Sequence, residues 1–169
     1  MTATLEKQPR VELRNIKHFA SLSEETHCYS ATLYVDGELW GEVSNRGHGG
    51  CDDIRLAGNR SWDDIKALNA RIAATYSPIE CYGSTLSQDL EMLCCEAVNA
   101  WLVKREFNRA MGRAVLFVDP ARPGDIMQFK LAKGRKPAEA LPALRAKHPA
   151  YTFLADLPEA EALTLYTAI

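Results

Sequence analysis

The 169-residue sequence predicts a single-domain α+β fold. Three observations carry that expectation. Strand-like and helix-like runs come in blocks rather than in alternation, which disfavours a parallel α/β sheet. Asp36-Gly37 lies between two apolar runs as a two-residue hairpin signal. A capped stretch over 86–110 carries an apolar stripe wide enough for a core helix. The expected architecture is an antiparallel sheet packed on that long central helix (86–110) and on a shorter helix (61–76). The sheet is built from an N-terminal three-strand meander and a later hairpin over 115–131. Residues 1–9 are polar and read as a flexible leader, with 10–169 as the domain.

Each element has a local reason. The run from Val11 to Phe19 starts with apolar alternation at Val11 and Leu13 and reads as a first strand. Ser21 to Thr26 is polar and turn-like. A type I′ turn at Asp36-Gly37 sets Leu33 opposite Trp40 and Tyr34 opposite Leu39. One face then carries Leu33, Val35 and Trp40, and the other Tyr34, Leu39 and Val43. Large apolar groups on both faces mean either cover on both sides or a bulge that shifts the register, and the pattern leaves both open.

Ser61 caps the shorter helix, with Asp64 at its third position. Trp62, Ile65, Leu68, Ile72 and Tyr76 form its stripe, and Ser77-Pro78 stops it. Thr85 caps the long helix and Gln88 completes a capping box. Its stripe runs through Leu86, Leu90, Leu93, Ala97, Val98, Trp101 and Leu102, and Gly112 lies near its end. Val115 to Val118 is a short buried strand, Asp119 to Gly124 a turn, and Ile126 to Leu131 the antiparallel partner. Lys133 to Pro137 is an exposed basic turn. A short helix over 138–148 starts late, because Pro142 fits only in a first turn. Pro158 opens a last helix bearing Ala162, Leu163 and Tyr166.

Composition excludes several classes. The net charge of −2 and pI of about 6.1 are not the basic balance of a protein that binds nucleic acid mainly through phosphates. No apolar run approaches the ~20 residues that span a bilayer, and no secretory signal opens the chain, so a cytoplasmic location is expected. The five cysteines, Cys28, Cys51, Cys81, Cys94 and Cys95, are odd in number and irregular in spacing, which predicts reduced thiols.

The candidate site is the glycine-rich loop Ser44 to Asp53. Its expected ligand-binding residues are Asn45, Arg46, Gly47, His48, Gly49 and Gly50. Glycine backbone N–H groups can form an anion-binding nest, and Arg46 can clamp a phosphate. His48 is the candidate acid or base, with Arg46, Asp52 and Asp53 completing a candidate catalytic set. The spacing is neither that of a Walker loop nor that of a dinucleotide fingerprint, and the alternative is a flexible or tightly turned connection whose glycines only satisfy φ. His48, Cys51, Asp52 and Asp53, with His27 or Cys28, are zinc-ligand types without paired ligand spacing, so no metal is expected. Cys51 with His48 is the candidate for a thiol nucleophile and its base. The carboxylates of Ser23 to His27 read as a solvated turn. Arg105, Arg109 and Arg113 stand at i, i+4 and i+8, a helix face that can meet nucleic acid but has few interleaved aromatics. A second basic cluster comprises Lys130, Lys133, Arg135 and Lys136. No cofactor is expected.

The run Lys17-His-Phe-Ala-Ser-Leu-Ser-Glu-Glu-Thr-His-Cys-Tyr-Ser-Ala-Thr-Leu-Tyr-Val-Asp-Gly37, followed by Val43-Ser-Asn-Arg-Gly-His-Gly-Gly50, resembles uncharacterised small proteins of bacteriophages and bacterial mobile elements. The resemblance spans the first ~55 residues and carries no catalytic residues. What it implies is an accessory protein or inhibitor that binds a host or defence component, whether protein, nucleoprotein or small signalling ligand. One alternative is a small enzyme or nucleotide- or phosphate-binding protein that uses loop 45–53. A second is nucleic-acid binding through Arg105, Arg109 and Arg113. The expected partners are therefore a host or defence protein first, a small anionic ligand second and nucleic acid last, with no membrane.

Overall fold

The computed structural model describes residues 7–81 and 83–168. The fold is α+β, and the chain divides into two compact units, residues 1–99 and 100–169. Most of the expected leader lies outside the described residues. Pro9, its last residue, is fully buried, and its carbonyl accepts the Tyr76 hydroxyl at 2.7 Å. The fixed chain thus begins before residue 10.

The first unit is built on an antiparallel meander of four strands in sequence order: β1 (Val11–His18), β2 (Tyr29–Val35), β3 (Glu38–Asn45) and β4 (Asp53–Leu56). The meander has one strand more than its pattern predicts. Asp36 and Gly37 have φ of 53° and 86°, the two positive values a type I′ turn requires. Tyr34 pairs with Leu39 as expected, but Leu33 pairs with Gly41 and not with Trp40. Trp40 is the extra residue of a bulge. Next to it, a Cβ at residue 41 would collide with the Arg55 carbonyl, so glycine marks the point where the backbones of β3 and β4 close up. The shift decides which residues enter the core. Val43 moves to the face of Ala31 and Leu33, where it is fully buried, while Leu39 stays 46% exposed. A second bulge, at Asn15 with φ 55°, sets Arg14 opposite Thr32 and Lys17 opposite Ser30.

Helix α1 (Trp62–Thr75) follows, with the Ser61 N–H donating to the Asp64 carboxylate at 2.6 Å as the capping box predicts. Ile65, Leu68 and Ile72 are buried. Trp62 departs from the expected stripe. It is the helix's first residue and is 63% exposed.

The long helix α2 (Leu90–Met111) begins four residues later than expected. Thr85 is not its cap. Residues around Gly83 form a short hairpin, β5 (Ile79–Cys81) with β6 (Ser84–Leu86), and the Thr85 hydroxyl donates across it to Glu80. Gln88 is likewise no part of a box, since its amide donates to the Ser77 carbonyl. Asp89 takes the capping role by accepting the Met92 N–H at 2.9 Å. Asn69 of α1 accepts the Leu90 N–H at 2.9 Å. Leu90, Leu93, Cys94 and Val98 are the buried residues of this half of the helix.

The second unit has its own three-stranded sheet, ordered β8-β7-β9, so the later hairpin does not extend the meander. The strands are β7 (Ala114–Val118), β8 (Ile126–Lys130) and β9 (Thr152–Phe153). β7 is buried on both faces. Ala114 and Leu116 pack with Phe107, Leu154 and Ala162, and Val115 and Phe117 pack with Ala140 and Phe153. Helix α3 (Pro137–Lys147) starts on Pro137, earlier than expected, and holds Pro142 in its interior. Pro137 fits the first helical position, while Pro142 forgoes one backbone hydrogen bond. Pro158 precedes α4 (Glu159–Thr167), as expected.

Candidate functional site

The site belongs to the first unit and follows from the β2–β3 register. Tyr29 pairs with Asn45, so residues just before β2 meet residues just after β3. The Gly47 carbonyl accepts three successive backbone N–H groups, those of Glu24 and Glu25 at 3.0 Å and of Thr26 at 3.3 Å. Gly47 itself has φ +87°, and a Cβ there would overlap the Leu22 carbonyl. Asn45 is the hub. Its Oδ1 accepts the Thr26 hydroxyl and the Gly47 N–H, each at 2.8 Å. Its Nδ2 donates to the Gly50 carbonyl at 2.9 Å and to Asp52 Oδ1 at 3.0 Å. All four hydrogen-bonding positions of the amide are filled. The Gly49 N–H donates to Thr26 Oγ1 at 3.3 Å.

These bonds occupy two of the amides expected to form an anion nest. The amides of Gly47 and Gly49 point inward at protein oxygens and are spent on holding the loop shut. The loop is a locked structure.

Of the candidate chemical groups, Asp52 and His48 are similarly engaged. Asp52 accepts the Tyr29 hydroxyl at 2.5 Å and the Asn45 amide, and its own N–H donates to Glu91 at 3.0 Å. Burial, and then the Asp52 hydrogen bond, push the Tyr29 phenol far above its ordinary range. Asp52 is thus a structural acceptor at the edge of a small cavity of about 100 Å³. His48 Nδ1 lies 3.0 Å from the Glu24 carboxylate, and both side chains are mostly exposed. Cys51 is exposed, and the nearby Glu91 carboxylate raises its thiol, the opposite of what a nucleophile needs. The other candidate zinc ligands are dispersed. His27 pairs with Asn99 at 3.0 Å and Cys28 is buried. Among the described residues, no three His, Cys, Asp or Glu side chains are grouped to hold a metal ion.

Asp53 parts company with Asp52. It opens β4 opposite Ser44, on the outer face of the meander. The register lays two rows across that face, Lys17–Ser30–Ser44–Asp53 and Arg14–Thr32–Glu42–Arg55. Small hydroxyl side chains make a floor, and long charged ones stand around it. The result is a depression of about 260 Å³. Through Ser44 and Asp53 it joins a second of about 350 Å³ beside Arg46, His48 and Cys51. Through Thr32, Glu42 and Arg55 it joins a third of about 300 Å³ beside Leu39 and Leu56. These depressions, sharing wall residues, lie side by side over the sheet and reach the glycine-rich loop, and together they form a trough. Among the described residues, the side chains of Lys17, Glu42, Arg46, Asp53 and Arg55 make no hydrogen bond or ion pair. Phe19, at 46% exposure, and Leu22, at 53%, lie on the segment clamped to Gly47.

The sheet-face residues Lys17, Ser30, Thr32, Glu42 and Arg55 were not among the expected site residues. Their signal is the small polar side chains at alternate positions of β2, Ser30 and Thr32, between buried Ala31 and Leu33. The expected arginine face over Arg105, Arg109 and Arg113 is only partly helical. Arg105 stacks on Trp101 at 4.6 Å, and Arg113 lies beyond the end of α2 in the following turn.

No protein-family model, curated protein or solved structure matches the chain. Among the described residues no helix is long and apolar enough to cross a membrane.

Proposed function

We propose that the protein is a binding protein, an accessory factor of a phage or mobile element. It acts by occupying a host or defence protein through the outer face of the meander and the loop 45–53. The observation that carries this reading is the contrast within the first unit. The trough is lined by five charged side chains that have no partner among the described residues, while Asp52 is tied into the framework, His48 meets Glu24 and the Cys51 thiol is raised by Glu91. A rigid, already ordered surface loses little conformational freedom on association. Arg46 and Arg55 are of a residue type that anchors protein interfaces.

Affinity capture from a lysate of the host cells tests this. Wild-type protein is expected to retain a discrete partner. A Lys17→Glu/Arg55→Glu variant is expected to lose it, and Lys66→Glu on the exposed side of α1 to keep it. Absence of any partner, or a partner that wild type and both variants retain equally, overturns the proposal.

A further inference from the structure

The second unit has a pocket of its own, and its setting differs from that of the trough. The end of α2, the start of β7 and the first turns of α3 enclose about 220 Å³ with walls that include Met111, Ala114, Leu116, Pro137, Ala138 and Leu141. Every lining residue is apolar. The volume is below the roughly 300–1,000 Å³ of small-molecule sites and suits one aliphatic or aromatic side chain.

Charge sets the class of ligand. Residues 100–169 hold eleven Lys and Arg against seven Asp and Glu, a net charge of +4, whereas residues 1–99 hold nine against fifteen, a net charge of −6. Arg113 directly precedes Ala114 in the pocket wall, and Arg135 and Lys136 directly precede Pro137. All three are exposed, and none has a side-chain ion pair among the described residues. Of the two acids flanking the lining in sequence, Asp156 has its charge matched by Arg145 and Glu139 meets the Lys136 backbone N–H. Several aromatic rings of this unit are taken up in stacking on one another. Phe117 stacks on Phe129 at 4.4 Å and on Tyr151 at 4.7 Å, and His148 stacks on Tyr151 at 4.8 Å.

We infer that this pocket is a second docking site, one that takes a single large apolar side chain from an acidic peptide segment of a partner protein. The apolar walls hold the anchor, and Arg113, Arg135 and Lys136 attract the flanking carboxylates. This inference is independent of the trough, because none of its residues lie in the first unit.

The test is fluorescence polarisation with the full chain and labelled decapeptides of Asp and Glu around one central Leu, Ile, Met, Phe or Trp. At least one peptide is expected to bind saturably. Replacing its anchor with Ala is expected to weaken binding at least about tenfold, as loss of a buried large side chain implies. Ala138→Leu, which fills the pocket from an exposed helix position, and Arg113→Glu/Arg135→Glu are each expected to weaken it comparably, with unchanged circular dichroism. Arg122→Glu, in the β7–β8 turn, is expected to leave it intact. Failure of all five peptides overturns the inference. So does equal binding of a DNA duplex insensitive to Ala138→Leu, which makes the basic surface a nucleic-acid site. Concentration-dependent dimerisation lost in Arg113→Glu/Arg135→Glu also overturns it, by seating a second copy of the chain in the pocket.

Discussion

Gly47→Ala is the substitution to which the locked loop is most sensitive. At φ +87° a residue with a Cβ carries a strain of about 1–2 kcal/mol. The added methyl would also overlap the Leu22 carbonyl, which belongs to the same segment whose amides reach the Gly47 carbonyl. Relieving that overlap moves residues 22–26 away from residue 47 and weakens three backbone hydrogen bonds, each worth about 0.5–1.5 kcal/mol net. A loss of about 3 kcal/mol is expected if most of both terms is felt. Gly50→Ala is the internal control, since residue 50 has neither a positive φ nor any atom within reach of an added Cβ. Its effect is expected to stay within about 0.5 kcal/mol. Urea unfolding followed by circular dichroism measures both. Equal midpoints for the two variants would show that residue 47 is not clamped and would refute the locked-loop argument.

Other outcomes follow from the same geometry. Tyr29→Phe removes the donor to Asp52 and is expected to cost about 1.5–3 kcal/mol in urea unfolding, the range for a hydrogen bond to a charged group. Because the folded-state Tyr29 phenol titrates well above its unfolded value of about 10, its contribution is complete below pH 10. It falls as pH rises beyond that point, when only the unfolded chain ionises, so wild type should lose stability more steeply than Tyr29→Phe between pH 10 and higher values. Cys51 is expected to react slowly with iodoacetamide at neutral pH and faster in Glu91→Gln, because removing the carboxylate lowers the thiol's pKa; mass spectrometry of the labelled peptide reads the rate. Ile72→Ala, at a fully buried position, is expected to cost about 2–5 kcal/mol, while Trp62→Ala is expected to change stability by no more than about 0.5 kcal/mol, both by urea midpoint.

Local chemistry was readable wherever a residue's own backbone demanded it. Asp36-Gly37 announces its turn, and Ser61 with Asp64 announces a helix start. What stayed hidden depends on residues far away in sequence. Gly41 is a glycine because Arg55 approaches it, and the bulge that follows sends Val43 into the core. Strand β4 starts on Asp53, the last residue of what reads as the loop, and the four residues show a strand's alternation of Ile54 and Leu56 with Asp53 and Arg55. Thr85 and Asp89 both suit a cap, and the short β5–β6 hairpin claims the first. The loop around His48 was singled out for its surplus of glycine, and the surplus has a structural reason at residues 47 and 49. At residue 49, with φ +80°, a Cβ would meet the Glu25 carboxylate. The upstream segment that receives the loop lies about twenty residues away, and the hairpin register already implies that the two meet. The trough was missed because each of its residues is ordinary alone, and only the pairing of four strands assembles them.

Site-specific photocrosslinking tests the binding reading most directly. A benzophenone side chain at Thr32, on the trough floor, or at Lys66, on the exposed side of α1, is irradiated in host-cell lysate. The account predicts one discrete adduct from Thr32, abolished by Arg55→Glu, and none from Lys66. Adducts of equal yield from both positions, or none from Thr32, would contradict it.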